Sequence, residues 1–172
     1  MPGTGLDMLK ALIVEDNQHM RVLLRSLLNA AGMHDICEAA DGGAGLTVLA
    51  ARKCDFILCD LAMKPMDGLE FTREVRRSKI GANHPFVPII MISGYTEKHR
   101  VEAARDAGVT EFLAKPITTQ SLYSRIAEIM ERPRAFIRAP SYFGPDRRRK
   151  TIENHTGPWR RHDDAAHLIH DL

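Results

Sequence analysis

The feature that most constrains this sequence is a fivefold alternation between short apolar runs and longer stretches with helical periodicity. Runs such as ALIV and FILC are apolar at consecutive positions, which is typical of parallel strands buried on both faces. In the stretches between them apolar residues recur every three or four positions, as in an amphipathic helix. Five such units in about 125 residues predict an α/β fold, a five-stranded doubly wound parallel sheet with helices on both faces.

Turn and capping residues set the predicted boundaries. Gly32 and Gly108 are placed to end helices, and Thr118 is placed to cap the last one. The strand order expected for such a sheet is 2-1-3-4-5, the flavodoxin-like order. The predicted strands are residues 9–14, 34–39, 54–59, 88–92 and 110–114, and the later helices are predicted at 44–52, 69–77, 97–107 and 118–131.

The regular pattern stops near residue 131, which predicts a domain over residues 1–131 and an extension over 132–172. Prolines and glycines interrupt the extension, and the excess of basic residues lies there, with 9 Lys+Arg against 6 Asp+Glu in residues 131–172. We therefore expect an extended, flexible tail that carries any attraction to polyanions. Its basic block consists of Arg147, Arg148, Arg149 and Lys150.

Composition excludes several classes of protein. No apolar run approaches the roughly 20 residues that a membrane-spanning helix needs. The first residues lack a basic segment followed by a long apolar stretch, so we expect no secretory signal and a cytoplasmic location. Cys37, Cys54 and Cys59 are odd in number and have no CxxC spacing, which argues against a disulfide framework or a zinc site.

Polar residues follow four of the predicted strands at the point where each strand ends. Glu15 and Asp16 follow the first, Asp60 the third, Ser93 the fourth and Lys115 the fifth. Any one of them alone would be read as a cap, a turn residue or a surface charge. Because the carboxyl ends of parallel strands form one edge of the sheet, together they predict a site. Clustered carboxylates repel each other unless a cation lies among them, and few carboxylates completed by water suit Mg²⁺.

On these residues the sequence resembles the response-regulator receiver family of bacterial two-component systems, in its chemotaxis-regulator-like form, over residues 8–130. The resemblance is carried by ALIVEDN, DFILCDLAMKPMDGLEF, VPIIMISG and EFLAKPI, in this order and spacing. It implies that Asp60 accepts a phosphoryl group from a sensor histidine kinase or a histidine phosphotransfer protein. It also implies a signalling domain rather than a turnover enzyme, open to Mg²⁺-assisted self-phosphorylation and slow autodephosphorylation.

The resemblance assigns roles to the metal-binding residues. Asp16 and Asp60 would hold Mg²⁺ together with the backbone carbonyl of Ala62, and Glu15 would help directly or through water. In the loop after Asp60, Lys64 stands where the family usually has proline, and Pro65 follows one place later. The path of this loop and its metal contacts are therefore open.

The resemblance also implies a conformational switch. The hydroxyl of Ser93 would donate to one phosphoryl oxygen, and Lys115 would pair with another. Phe112 matches the family's aromatic residue that turns inward when the hydroxyl residue moves. The surface formed by the fourth helix, fifth strand and fifth helix would then bind a downstream protein.

Other classes fit less well. A flavin-binding protein of this topology would need a neutral phosphate loop after the first strand, where this chain has EDN. A phosphohydrolase normally has a second aspartate where Ala62 stands. The alternative for the output is a transcriptional regulator whose basic tail contacts nucleic acid directly, but the tail is short for a helix-turn-helix domain with its own core. A protein target is therefore favoured.

Overall fold

The computed structural model describes residues 5–77, 85–94, 97–147 and the backbone of 167–169. Short strands and helices alternate through the first 131 residues, as the sequence predicts. The strands are β1 (Lys10–Val14), β2 (Asp35–Ala39), β3 (Phe56–Asp60), β4 (Ile89–Ser93) and β5 (Glu111–Ala114). The helices are α1 (Gln18–Ala30), α2 (Gly42–Ala51), α3 (Gly68–Arg77), α4 (Lys98–Ala107) and α5 (Thr119–Glu131), preceded by a 3-10 turn at Leu6–Met8.

The five strands form one parallel sheet in the order β2-β1-β3-β4-β5, which confirms the predicted flavodoxin-like order. Alternate residues of each strand point to opposite faces. Leu12 of β1 packs with α2, α3 and α4, whereas Ile13 packs with α1 and α5. Both faces of the sheet are thus covered, which explains why the strands read as continuous apolar runs.

The helices begin and end close to the predicted positions, at residues that cap them. The Asn17 side chain accepts a hydrogen bond from the Met20 N–H at the start of α1. Thr118 and Ser121 form a reciprocal capping box at the start of α5. Gly108 follows α4 with φ +100°, a backbone conformation that favours glycine. In the part of the chain that is described, no helix has the length and apolar character that a membrane span requires.

The described part of the C-terminal extension contains strands, where the sequence predicts an extended tail over residues 132–172. Strands β6 (Phe136–Ala139) and β7 (Tyr142–Pro145) form an antiparallel hairpin, and β8 (His167–Ile169) pairs with the other edge of β6. Phe136 and Tyr142 are buried, and the rings of Phe86, Phe136 and Phe143 lie within 5.1–5.7 Å of each other, centroid to centroid. Burial of this aromatic surface explains why the segment does not extend into solvent. Residues 148–150 of the predicted basic block lie outside the described residues.

Arg76 of α3 joins this hairpin to the loops before β4 and after α4. Its side chain is buried, and its guanidinium donates hydrogen bonds to the carbonyl oxygens of Gly108, Pro85 and Val87 at 2.7–2.9 Å. The same group lies over the ring of Phe136, 5.1 Å from its centroid. Burial lowers the pKa of Arg76 to about 9, so the guanidinium is still protonated at neutral pH.

Replacing Arg76 by methionine should lower the free energy of unfolding by about 2–4 kcal/mol, because three carbonyl oxygens would lose their common donor. Arg77→Met is the matched control, since the neighbouring side chain is 71% exposed and forms a surface ion pair with Glu74. Urea unfolding of both variants would measure the difference. Equal stabilities for the two variants would show that Arg76 does not hold these elements together.

Candidate functional site

The predicted site residues meet at the carboxyl edge of the sheet. Asp60 is the last residue of β3, the central strand, and Ser93 is the last residue of β4 beside it. Glu15 directly follows β1 on the other side, and Lys115 directly follows β5. The fold therefore brings together side chains that lie up to 100 positions apart in the sequence.

Lys115 joins two carboxylates across this edge. Its Nζ donates to Asp60 Oδ1 at 2.8 Å and to Glu15 Oε2 at 3.4 Å. Asp60 and Glu15 are 5% and 1% exposed, so both carboxylates lie in an environment that screens charge poorly. A single ammonium group thus holds the ends of β1, β3 and β5 in one arrangement.

Three carboxylates lie close enough to share one cation. One oxygen each from Glu15, Asp16 and Asp60 lies within 4.8 Å of the others, and Asp16 is the solvent-exposed member. Within the described residues, Lys115 is the one cation that pairs with Glu15 or Asp60. The formal charges are −3 from the carboxylates and +1 from Lys115, which leaves −2. Oxygen ligands with this residual charge fit a divalent cation such as Mg²⁺.

The pKa shifts follow from this crowding. Burial, reinforced by the negative charge of Asp60, raises the pKa of Glu15. Partial burial alone would lower the pKa of Lys115, but the hydrogen bond and charge of Asp60, together with Glu15, raise it. Lys115 is therefore charged at neutral pH and can pair with an anion.

The remaining predicted residues are Ala62, Ser93 and Phe112. The backbone N–H of Ala62 donates to Asp60 Oδ2 at 3.0 Å, so the start of the following loop is fixed to the carboxylate. Ser93 is 1% exposed, and its carbonyl accepts from the Lys115 N–H at 2.8 Å. Phe112 is half-buried against the core on the α2–α3–α4 side of the sheet. The switch roles of Ser93 and Phe112 remain predictions.

Arg21 of α1 is a site residue that the sequence reasoning missed. Its Nη1 donates to the carbonyl oxygens of Glu15 at 2.6 Å and Asp16 at 3.1 Å, and its Nε lies 3.7 Å from Glu38 Oε2 on β2. The guanidinium therefore fastens the loop that bears two of the three carboxylates to the neighbouring strand. Its bonds go to backbone carbonyls, which no residue pattern reveals.

Gly68 is a second residue whose importance only the structure shows. A Cβ atom at this position would lie 2.3 Å from the Asp60 carbonyl oxygen and 3.0 Å from Leu61 Cα. Its own N–H donates to the Leu61 carbonyl at 3.0 Å, which closes the loop after β3. Only glycine allows α3 to start this close to Asp60. The Asp67-Gly68 pair indicates a turn in the sequence but not this contact.

Comparisons with known proteins agree with this fold and identify the family. The family model described as response regulator receiver domain matches residues 11–127. The chain is 32% identical over 124 residues to the chemotaxis protein CheY of Pseudomonas aeruginosa, covering 72% of this chain and 98% of that protein. The chain therefore belongs to the response regulator receiver family, whose members are signalling domains of two-component systems that bind Mg²⁺ at an acidic site.

Two solved structures extend the comparison. The chemotaxis protein CheY4 of Vibrio cholerae superposes with a TM-score of 0.65 at 28% identity, covering 70% of this chain and 98% of that one. The receiver domain of a sensor histidine kinase from Pseudomonas aeruginosa gives a TM-score of 0.61 at 29% identity, covering 70% of this chain and 94% of that one. That structure has a magnesium ion coordinated in its active site cleft.

Replacing Arg21 by glutamine should weaken Mg²⁺ binding by about tenfold, as is typical when a residue that orients metal ligands is lost. Arg21→Lys should also weaken binding, because an ammonium group cannot reproduce the planar fork that reaches both carbonyls. Titration of the unphosphorylated protein with Mg²⁺, followed by amide chemical shifts, would measure the dissociation constants.

Arg25→Gln is the control, since Arg25 pairs with the same Glu38 and with the Ile36 carbonyl but does not bond to the loop. If Arg21 acted only as a repelling charge, Arg21→Gln would bind Mg²⁺ more tightly than the wild type. Such a result, or an equal loss of affinity in Arg25→Gln, would contradict the positioning role.

Proposed function

We propose that this chain is a phosphoacceptor response regulator whose receiver occupies residues 1–131. In this proposal Asp60 accepts a phosphoryl group from the phosphohistidine of a sensor histidine kinase or a histidine phosphotransfer protein. The observation that carries the proposal is the buried Asp60 carboxylate, held by Lys115 at 2.8 Å beside two further carboxylates. This arrangement provides a nucleophile, a counterion and ligands for a divalent cation in one place.

In the proposed mechanism an Asp60 oxygen attacks the phosphorus in line with the bond to the imidazole nitrogen. A P–O bond forms as the P–N bond breaks, and the imidazole leaves with the electron pair. Lys115, already 2.8 Å from Asp60 Oδ1, neutralises a phosphoryl oxygen, and the Ser93 hydroxyl donates to another. Charge stabilisation and positioning supply most of the catalysis in reactions of this kind.

The carboxylates of Glu15, Asp16 and Asp60, with the carbonyl of Ala62, would hold Mg²⁺. When bound, the cation screens the carboxylates from the incoming phosphoryl group and stabilises the charge on its oxygens. The Asn17 N–H donates to Glu15 Oε1, and Arg21 donates to the carbonyl oxygens of Glu15 and Asp16. These hydrogen bonds fix the loop in an arrangement that would hold the cation. Little rearrangement of the loop is then needed on binding.

The proposed output is a conformational switch read by a downstream protein. Lys115 and Ser93 contact the phosphoryl group in the phosphorylated state, so β5 and β4 shift together and Phe112 turns inward. The surface of α4, β5 and α5 then changes shape, and a partner that prefers the new shape shifts the population.

Direct contact of the tail with nucleic acid is the less favoured output. In the described part of the tail, Arg134 lies 3.0 Å from Glu111 Oε1, and Arg147 lies 3.4 Å from Asp106 Oδ1. Arg147 also stacks over the ring of Tyr142, 4.0 Å from its centroid. Because these two arginines of the described tail already pair within the chain, a protein partner is kept as the proposed output.

Incubation with acetyl phosphate should add one phosphoryl group to the protein when Mg²⁺ is present and none when Mg²⁺ is chelated. Asp60→Asn should abolish the mass gain, because the amide is not a nucleophile for this transfer. Asp55→Asn is a matched control, since Asp55 precedes the same strand at its other end and binds the Lys10 N–H. Intact mass spectrometry measures all four conditions. A phosphorylated product that persists in Asp60→Asn would refute the assignment.

A further inference from the structure

The C-terminal hairpin, residues 136–145, rests on α4 through a contact between two backbones. A Cβ atom on Gly144 would lie 2.9 Å from Gly108 Cα, and a Cβ on Gly108 would lie 3.1 Å from the Phe143 carbonyl oxygen. Gly108 is the residue that ends α4. Neither glycine has a side chain that could change rotamer, so a displacement of α4 relative to the hairpin has to be taken up by backbone atoms.

Two ion pairs flank the contact and tie the hairpin to α4 and β5. On one side Arg147 binds Asp106 of α4. On the other side Arg134 binds Glu111, the first residue of β5, which is 4% exposed. Arg125 of α5 reaches the same carboxylate at 3.6 Å. The residues that flank the hairpin are therefore anchored to α4 and β5, two of the three elements that form the proposed signalling surface.

Strand β5 connects these anchors to the phosphorylation site. It spans only Glu111–Ala114, so Arg134 holds one end of the strand while Lys115, just past the other end, holds Asp60. Phe112 lies between the two ends. Lys115 and Glu111 are separated by about 13 Å of extended chain. A displacement of Lys115 towards a phosphoryl oxygen therefore reaches Glu111 over a short distance along the same strand.

We propose that docking of the hairpin is coupled to phosphorylation of Asp60, so that the docked hairpin favours the unphosphorylated arrangement. This inference rests on the proposed function. The hairpin fits the arrangement in which Lys115 lies on the unmodified carboxylate, and its glycine contact is lost when α4 and β5 shift. Packed interfaces of this kind have discrete arrangements and amplify small shifts. Phosphorylation therefore weakens docking of the hairpin. By thermodynamic reciprocity, docking of the hairpin disfavours the phosphorylated arrangement by the same factor in its equilibrium constant.

Docking of the hairpin determines which surface of the receiver is available to a partner. In the docked state the hairpin covers Arg76, Gly108 and the ring of Phe86 on the α3–α4 side of the receiver. Loosening of the hairpin uncovers this surface together with the aromatic rings of the hairpin itself. The extension thus adds a second phosphorylation-dependent surface to the one formed by α4, β5 and α5.

Hydrogen exchange of the full chain, with and without beryllofluoride and Mg²⁺, tests the coupling directly. We expect exchange in residues 136–145 to become about fivefold faster or more when the phosphoryl mimic binds, the lower end of typical coupling between sites. Reciprocally, Gly144→Val should bind beryllofluoride about fivefold more tightly than the wild type. Ser141→Ala, at the exposed turn of the same hairpin, should bind it like the wild type.

The outcomes separate this inference from the function on which it rests. The coupling would be overturned if beryllofluoride bound without changing hydrogen exchange in the hairpin, or if Gly144→Val bound it more weakly than the wild type. Either result would leave the proposed function standing. Absence of any Mg²⁺-dependent mimic binding by the wild type would overturn both. If Gly144→Val does not fold, Arg147→Gln breaks one flanking pair without a steric clash, and it should bind the mimic more tightly as well.

Discussion

The contact between the Lys115 ammonium and the Asp60 carboxylate is the interaction on which the arrangement of the site depends. Glu15, Asp16 and Asp60 are brought together by the sheet, and two like charges about 4 Å apart repel by roughly 4 kcal/mol at intermediate dielectric. Lys115 offsets part of this repulsion from β5, two strands away from Asp60 on β3. The remaining negative charge is what makes the site suited to a divalent cation.

Most of the fold and of the site could be predicted because both follow from local patterns. Strands buried on both faces must be apolar throughout, so β1, β3 and β4 are visible as runs in the sequence. The parallel topology then places Glu15, Asp60 and Lys115 at one edge without any knowledge of distances. Boundaries shifted by one or two residues, as is usual where strands and helices end.

The sequence could not show what depends on contacts between distant segments. Phe136 and Tyr142 of the extension are buried, and Arg76 and Phe86, some 50 to 60 positions earlier, complete the surroundings of Phe136. The sequence signal for this packing is the presence of Phe136, Tyr142, Phe143 and Trp159, more aromatic residues than a solvated linker usually contains. Arg21 donates a hydrogen bond to a backbone carbonyl, and Gly68 allows a close backbone contact with Asp60 because it lacks a Cβ. Such contacts leave no periodicity or motif.

The described part of the extension and the carboxylate site form one connected structure. Arg76 links α3 to the hairpin, and the pairs Arg147–Asp106 and Arg134–Glu111 link the hairpin region to α4 and β5. Since β5 leads directly to Lys115, residues 134–147 contact elements that, in the proposed switch, respond to phosphorylation of Asp60. Truncation of the extension should therefore be expected to change the receiver itself and not only its output.

Chemical identification of the modified residue tests most directly whether Asp60 is the phosphoryl acceptor. After phosphorylation in the presence of Mg²⁺, borohydride reduction of an aspartyl phosphate converts that residue to homoserine, which peptide sequencing by mass spectrometry can locate. We predict homoserine at position 60 and at no other aspartate. Homoserine at Asp16 or elsewhere, or a phosphoryl group that resists reduction because it lies on histidine or serine, would contradict the account.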